Sequence, residues 1–530
     1  MRGLEEVPYA ARLLAGLPGY LRRPLSLPEA HATLAARLAS RERALLSLVR
    51  RVTSTPAGAY SRLLAHASCE HGDVERLVRE RGPEGALGEL AARGVYLTVD
   101  EFKGRTPVRR GSLSFDAGPA LARNPLASRQ VAARSSGSRG HGTHVHFGLP
   151  FIRDCAVDAF LHLEARGGLD WVKATWEAPG AGAMFRLLKY SAFGAPAGGW
   201  FTPVDPTATG LHPRYRLAVR ATRVASLVAG RPLPAPTVAS VADPLPLARW
   251  LSATLAAGRT PHVLCLASAA VRLALTAAEA EIDIEGAQLI MAGEPVTEAR
   301  RAVVERSGAV VVSRYGSIET GPVGYACLRP RTADDVHVLG DLHAVIHAGP
   351  GLEAVLPADA LLVTTLVPTS PFLLLNVSMG DRAVLEERPC GCAAERRGWT
   401  THLREIRSFE KLTGAGVTFL GSDVVRVLEE DLPARFGGVP TDYQLVEGAD
   451  EHGLPRVSLI VHPRLGPLDE RRVAEELMAA LSPGDGGEHL MGVVWRQAGI
   501  LSVERRSPVI GRSGKTQHLV LLGATEAVRR

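Results

Sequence analysis

Ser507–Leu522, SPVIGRSGKTQHLVLL, is the stretch on which the fold turns, because Gly514-Lys515-Thr516 ends like a phosphate-binding P-loop. That loop needs a further glycine five positions earlier, so that bare backbone N–H groups can wrap a phosphate, and the position holds Val509. A P-loop also opens a helix, whereas Gln517-His518-Leu519-Val520-Leu521-Leu522 reads as an apolar strand. A phosphate-hydrolysing P-loop protein is therefore disfavoured. Of 61 Lys plus Arg, only Lys103, Lys173, Lys189, Lys411 and Lys515 are lysines. In so arginine-biased a chain, lysine marks places where a compact, mobile point charge suits the chemistry; the alternative for Lys515 is a chance surface residue.

With 530 residues the chain exceeds one ordinary core and predicts two to four domains. The formal net charge of +6 is spread along the chain, with no basic block interleaved with aromatics, so nucleic-acid binding is not expected. No run of eighteen apolar residues suggests a membrane span, and early acids and prolines in MRGLEEVPYAARLLAGLPG do not read as a signal peptide. A cytoplasmic setting is expected. Six cysteines in so long a chain are not a disulfide framework, which turns attention to metal binding or buried thiols.

Residues up to about 100 read as helices, with Leu34, Leu38, Leu45 and Leu48 at helical spacing. From about 130 to 375, runs such as HVLCLAS, AQLIMAG, AVVVSRYG and ALLVTTLV alternate with alanine-rich helical patterns, which predicts α/β layers. Between them GAPAGGWFTPVDPTATGLHP reads as a long Gly/Pro loop walling a pocket, with Trp200 and Phe201 as candidate walls. Beyond about 405 the pattern becomes a smaller unit, with DVVRVLEEDLPARFG and DERRVAEELMAALS as helices and TDYQLVE, RVSLIVHP and ILSVERR as strands.

Arg134 to Thr143, RSSGSRGHGT, offers exposed N–H groups and small hydroxyls suited to phosphate oxygens, although taken alone such a run is more often a plain flexible loop than a nucleotide site. MAGEPVTEARR (residues 291 to 301) and SRYGSIETGP (313 to 322) each place a Gly/acid turn after an apolar run, and strand ends of α/β sheets are where ligands collect. LLNVSMGDRAVL then places Asp381 after a further strand, where a carboxylate can accept from a sugar diol.

The ordered set resembles the adenylate-forming (AMP-forming) ligase superfamily, most closely its phenylacetate–CoA ligase-like branch, over about residues 55 to 525. Ser135, Ser136, Gly137, Ser138, Gly140 and Thr143 fall in a stretch similar to that family's phosphate loop, SSGTTGxPT. Gly293, Glu294 and Pro295 resemble its GAEP turn beside the acyl pocket, and Tyr315, Gly316 and Glu319 its YGxxE. The resemblance implies that Tyr315 stacks on adenine, Glu319 holds Mg²⁺ between phosphates, Asp381 grips ribose, and Arg407 lies at the hinge. It implies that Lys515 is the catalytic lysine. The implied fold is α/β: a large N-terminal adenylation domain of layered α/β subdomains (1–405) and a small mobile α+β C-terminal domain (406–530).

The implied reaction is ATP-dependent activation of a small carboxylic acid, aromatic or medium apolar, as an acyl-adenylate, then transfer to CoA, a carrier-protein thiol or an amine. Three positions depart from the pattern. Ser378 replaces an arginine, Arg139 a threonine, and Phe409-Glu410 an Asp-Asp pair, so a catalytically impaired nucleotide- or acyl-binding protein is the rival reading. Cys327, His337, Cys390 and Cys392 could share one structural Zn²⁺, since two thiolates one residue apart reach one ion and two ligands from another loop complete a tetrahedron; some members of the branch look similar. Buried thiols are the alternative. Cys69, Cys155 and Cys265 read as bland, and His144 and His146, on one strand face, as structural.

Overall fold

The computed structural model describes residues 7–54, 58–134, 143–177, 180–194, 197–203, 205, 213–241, 243–352, 355–408, 411–414, 417–449, 455–481, 501–510, 516 and 518–521. Helices fill the N-terminal part, from Val7–Leu21 to Val99–Phe102. Leu34, Leu45 and Leu48 turn inward as their spacing predicts, but the pattern breaks at Ser40 into two helices, Leu27–Ala39 and Arg41–Thr53. Ser26 starts the first with a capping box, accepting from the Glu29 N–H while the Glu29 carboxylate accepts from the Ser26 N–H.

Behind these helices runs a twelve-stranded sheet. Six strands are parallel: Val310–Ser317, Gln288–Ala292, Pro261–Leu266, Val172–Trp176, Gly199–Thr202 and Pro236–Val238. Helices such as Leu245–Ala256, Ala267–Glu279 and Glu298–Glu305 form the crossovers between them. Gln288–Ala292 is buried along its whole length, as expected of a parallel strand covered on both faces. The other half is antiparallel: Gly321–Ala326, Val336–Val338, Thr401–Ser408, Val377–Glu387, Ala360–Thr365 and His343–His347. The direction reverses at the turn from Val310–Ser317 into Gly321–Ala326, so Tyr315 to Glu319 lie on the seam between the two halves.

Two expectations are corrected. Gly199–Thr202, inside the supposed Gly/Pro loop, is a fully buried strand, and Trp200 is core rather than pocket wall, because parallel pairing satisfies its backbone on both sides. Asp381 lies within a long strand, Val377–Glu387, rather than beyond one; Gly380, at φ +91°, marks the kink there.

Thr401–Ser408 carries the large sheet through residue 408. A separate four-stranded sheet follows, in the order Leu501–Arg505, Pro455–Val461, Tyr443–Ala449 and Leu519–Leu521. It packs with the helix Glu470–Leu481 around its own core, which includes Leu445, Leu459, Val473 and Leu477. Leu519–Leu521 pairs parallel with Tyr443–Ala449, so the chain just after Lys515 is a strand and not the helix a P-loop requires. Among the described residues no helix is long and apolar enough to cross a membrane.

Candidate active site at the sheet seam

The turn after Tyr315 is built for close backbone approach. Gly316 has φ +152°, and a Cβ there would come within 2.3 Å of the Gly321 carbonyl oxygen, so only glycine fits. The Ser317 hydroxyl accepts from the N–H groups of Glu319 and Thr320 at 3.2 and 3.1 Å, which fixes the turn from within. Glu319 is buried at 3 % exposure, and among the described residues its Oε1 has no hydrogen-bond partner. An orphaned buried carboxylate oxygen is costly unless something arrives to use it, and as a hard, anionic donor it suits Mg²⁺.

Tyr315 and Asp381 meet across the seam, the phenol donating to Asp381 Oδ2 at 2.9 Å. Burial, reinforced by the Asp381 charge, pushes the Tyr315 phenol well above its ordinary pKa, so it stays a donor. Ser408 stands opposite Asp381 in the strand pairing, which brings the Arg407 segment alongside. The Arg407 guanidinium itself donates to Asp334 at 2.8 Å, and Asp334 also accepts from the Glu405 and Ile406 N–H groups at 2.9 and 2.7 Å. Ser378 is fully buried; its hydroxyl accepts from the Gly380 N–H at 3.3 Å, so it props the kink beside Asp381 and supplies no charge.

Gly293, Glu294 and Pro295 follow the neighbouring parallel strand. Glu294 turns inward, accepting from the Ser268 N–H at 2.6 Å, the Ser268 hydroxyl at 3.0 Å and Arg300 Nη1 at 3.2 Å, while Pro295 gives its carbonyl to Arg300. The carboxylate therefore fastens the turn. Arg300, 1 % exposed, continues to Glu429 at 2.8 Å and to His518 at 3.0 Å, and Glu429 also takes Thr297 and His518. Thr516 is buried beside this turn, its hydroxyl accepting from Arg272 at 3.0 Å. Thr143 is buried. Ser135, Ser136, Gly137, Ser138, Gly140 and Lys515 lie outside the described residues, as do Arg139, Phe409 and Glu410.

Three of the four ligands foreseen from sequence, Cys327, His337 and Cys390, converge with His402, and the fourth, Cys392, lies against His337. His337 Nε2 lies 3.1 Å from Cys392 Sγ and 3.7 Å from Cys390 Sγ, near the roughly 3.5 Å that separates neighbouring corners of a tetrahedral zinc site. Cys327 Sγ, Cys390 Sγ and nitrogens of His337 and His402 all lie within 4.8 Å of one another. His402 was not foreseen; it sits directly opposite His337 in the strand pairing. The outer contacts orient these donors: His337 Nδ1 donates to the Trp399 carbonyl at 2.6 Å, and the His402 ring engages Asp335 at 2.7 Å, its Nε2 having no hydrogen-bond partner among the described residues. Burial pushes the Cys392 thiol up, but hydrogen bonds from the Glu395 backbone, the Cys390 side chain and the Leu328 and Ala394 backbone outweigh it and lower its pKa, whereas burial raises the Cys327 and Cys390 thiols. The donor set fits Zn²⁺.

No protein-family model matches the chain, and no curated protein sequence is significantly similar to it. Among solved structures it is similar to a 2-hydroxyisobutyryl-CoA ligase in complex with 2-HIB-AMP and CoA, at 16% identity and TM-score 0.42, covering 91% of this chain and 90% of that one. It is similar to an anthranilate CoA ligase in complex with anthranoyl-AMP, at 11% identity and TM-score 0.41, covering 73% and 66%. A third is O-succinylbenzoate coenzyme A synthetase from Bacillus subtilis in complex with ATP and magnesium ion, at 12% identity and TM-score 0.40, covering 73% and 68%.

Proposed function

We propose that the chain activates a small carboxylic acid with ATP, forming an acyl-adenylate, and passes the acyl group to a thiol. The observation that carries this reading is the meeting of Tyr315 with Asp381 beside the orphaned carboxylate of Glu319, on a seam formed by two of the sequence motifs. An aromatic ring tied to an acid suits a nucleoside, with the ring against the base and the acid toward the ribose hydroxyls. Glu319 would hold Mg²⁺, which when bound neutralises phosphate charge.

In such a reaction the substrate carboxylate attacks the α-phosphorus of ATP and pyrophosphate leaves. Two anions must be brought together, so positioning and charge compensation matter more than acid–base work. Lys515 is assigned to the developing charge. Thr516, one residue on, is anchored through Arg272 beside the Gly293–Pro295 turn, which supports that role. We assign residues 406–530 to a C-terminal unit that reorients between half-reactions, with Arg407 at its start. CoA is the preferred acceptor, with a carrier-protein thiol or an amine as alternatives. Zn²⁺ on the Cys/His cluster is assigned a structural role, since any four of the five donors Cys327, His337, Cys390, Cys392 and His402 would fill a tetrahedron and leave no open position.

A second reading, a binding protein without turnover, is favoured by the uncharged Ser378 beside Asp381. Carboxylate-dependent ATP–pyrophosphate exchange over a panel of acids decides between them, and mass analysis with CoA, carrier protein and amines identifies the acceptor. Lys515→Ala is expected to slow exchange by about 10²-fold, by analogy with removing one oxyanion donor. Exchange at the wild-type rate in that variant would remove Lys515 from the site, and nucleotide binding without exchange for any acid would favour the second reading.

A further inference from the structure

Away from the seam, residues 117–153 carry five arginines, three histidines and no aspartate or glutamate, in a chain of 61 basic and 55 acidic residues. Within this stretch the strand His144–Phe147 pairs with Val131–Arg134, and alternation puts His144 and His146 on one face of the hairpin. The helix Val7–Leu21, which also has no acid, lies alongside. Its Tyr9 ring is 4.7 Å from the His146 ring, the Arg12 guanidinium is 6.0 Å from the Tyr9 ring, and the Arg12 carbonyl accepts from Gln130 at 3.3 Å.

Arg123, Arg129 and His146 line one polar recess of about 10 Å³, room for a single water-sized group, with Asn124 and Phe372 in its wall. The wall is firmly built. Asn124, 1 % exposed, donates from Nδ2 to the Pro368 and Ser370 carbonyls at 2.7 and 2.8 Å and accepts from the Leu126 N–H at 3.1 Å. Its own N–H donates to the Pro371 carbonyl at 3.0 Å, so the loop that carries both arginines is pinned and a ligand has little left to order.

The basic heads themselves are unengaged. Among the described residues neither the Arg123 nor the Arg129 guanidinium donates a hydrogen bond or meets a carboxylate, and the His146 ring nitrogens have no hydrogen-bond partner. Burial, with Arg123, Arg129 and His144 adding to it, holds the His146 imidazole below its ordinary pKa. Two guanidinium forks and an imidazole around a seat for one oxygen match a tetrahedral anion, which puts one oxygen in the recess and turns the others to the forks. A carboxylate, with two oxygens, would leave one of the three groups unused.

We infer that this recess is a phosphate site, in which Arg123, Arg129 and His146 bind a terminal phosphate group. Its source is either the 3′-phosphate of CoA or free inorganic phosphate. The site gives a binding role to His146, which the sequence alone presents as structural. Only CoA as the source rests on the adenylation reading.

The test is calorimetry on the full chain with inorganic phosphate, CoA and dephospho-CoA at constant ionic strength, with acetate as the control anion. Phosphate is expected to bind where acetate does not. Arg123→Gln and Arg129→Gln, both on half-buried side chains, are each expected to weaken it by about tenfold or more, the loss of one charge-assisted hydrogen bond. CoA that binds about tenfold more tightly than dephospho-CoA, with the gap closed in either variant, sustains the site and assigns it to the acceptor. Equal affinity for the two, with phosphate binding still lost in the variants, sustains the site and assigns it to free phosphate. No phosphate binding, acetate bound equally well, or phosphate binding that both variants retain would overturn the inference. The assay needs no turnover, so a failure of pyrophosphate exchange sinks the adenylation reading and leaves the phosphate site to be decided on its own.

Discussion

Removing Arg300 should loosen the attachment of the C-terminal unit more than any surface substitution. Arg300 and Glu429 are each 1 % exposed and 2.8 Å apart. At an effective dielectric of about 20 that distance corresponds to about 6 kcal/mol of attraction, before the cost of desolvating both ions. Glu294 keeps its two donors from Ser268 when Arg300 is lost, and Glu429 keeps Thr297 and His518. The cost of Arg300→Met is therefore placed near the lower end of the usual range for a broken buried pair, about 3 kcal/mol. The assay is urea unfolding of Arg300→Met, Glu429→Gln and the double variant. Each single change is expected to lower the midpoint, and the double to fall short of their sum by about 1 kcal/mol or more. Burial raises the Glu429 pKa, but Arg300 and His518 outweigh it and hold the folded carboxyl below its ordinary value. The contribution is thus present above about pH 4.3, the unfolded value, and is lost as pH falls through the lower folded pKa. Single variants within 1 kcal/mol of wild type, or strictly additive effects, would refute the reasoning.

Glu319→Gln is expected to raise the Mg²⁺ concentration needed for half-maximal exchange as well as slow the rate, because an amide is a poorer ligand for a hard cation; an unchanged magnesium titration removes Glu319 from the site. Gly316→Ala should cost about 3 kcal/mol or more in thermal unfolding, since its Cβ meets a backbone carbonyl at 2.3 Å that cannot swing aside, and a stable variant would contradict that geometry. Elemental analysis should find about one zinc per chain, with Cys390→Ser losing most of it and chelation lowering Tm by mass action. Full zinc in that variant would make the thiols merely buried.

The turns of the candidate site could be located from local sequence, because Gly-rich turns after apolar runs are short-range signals. The Val310–Ser317 strand and its turn needed only their own residues. The partnership of Tyr315 with Asp381 joins positions far apart in the chain, and only the strand pairing brings them together. His402 escaped notice for the same reason: it is a neighbour of His337 through a ladder between strands that are not consecutive. Trp200 and Phe201 were hidden by flanking glycines and prolines, which look like a loop until parallel partners on both sides are known.

Asp334 and Asp335 are consecutive, yet Asp334 holds Arg407 at the edge of the proposed nucleotide site while Asp335 holds His402 of the Cys/His cluster. A single peptide unit thus sets the spacing of two centres. One inserted or deleted residue between Thr332 and Val336 would put both out of register at once, and no compensating change at either centre alone could restore the other. This short loop should tolerate substitutions that keep its two acids and tolerate no change of length, which makes its residue count, rather than its composition, the quantity that selection must hold fixed.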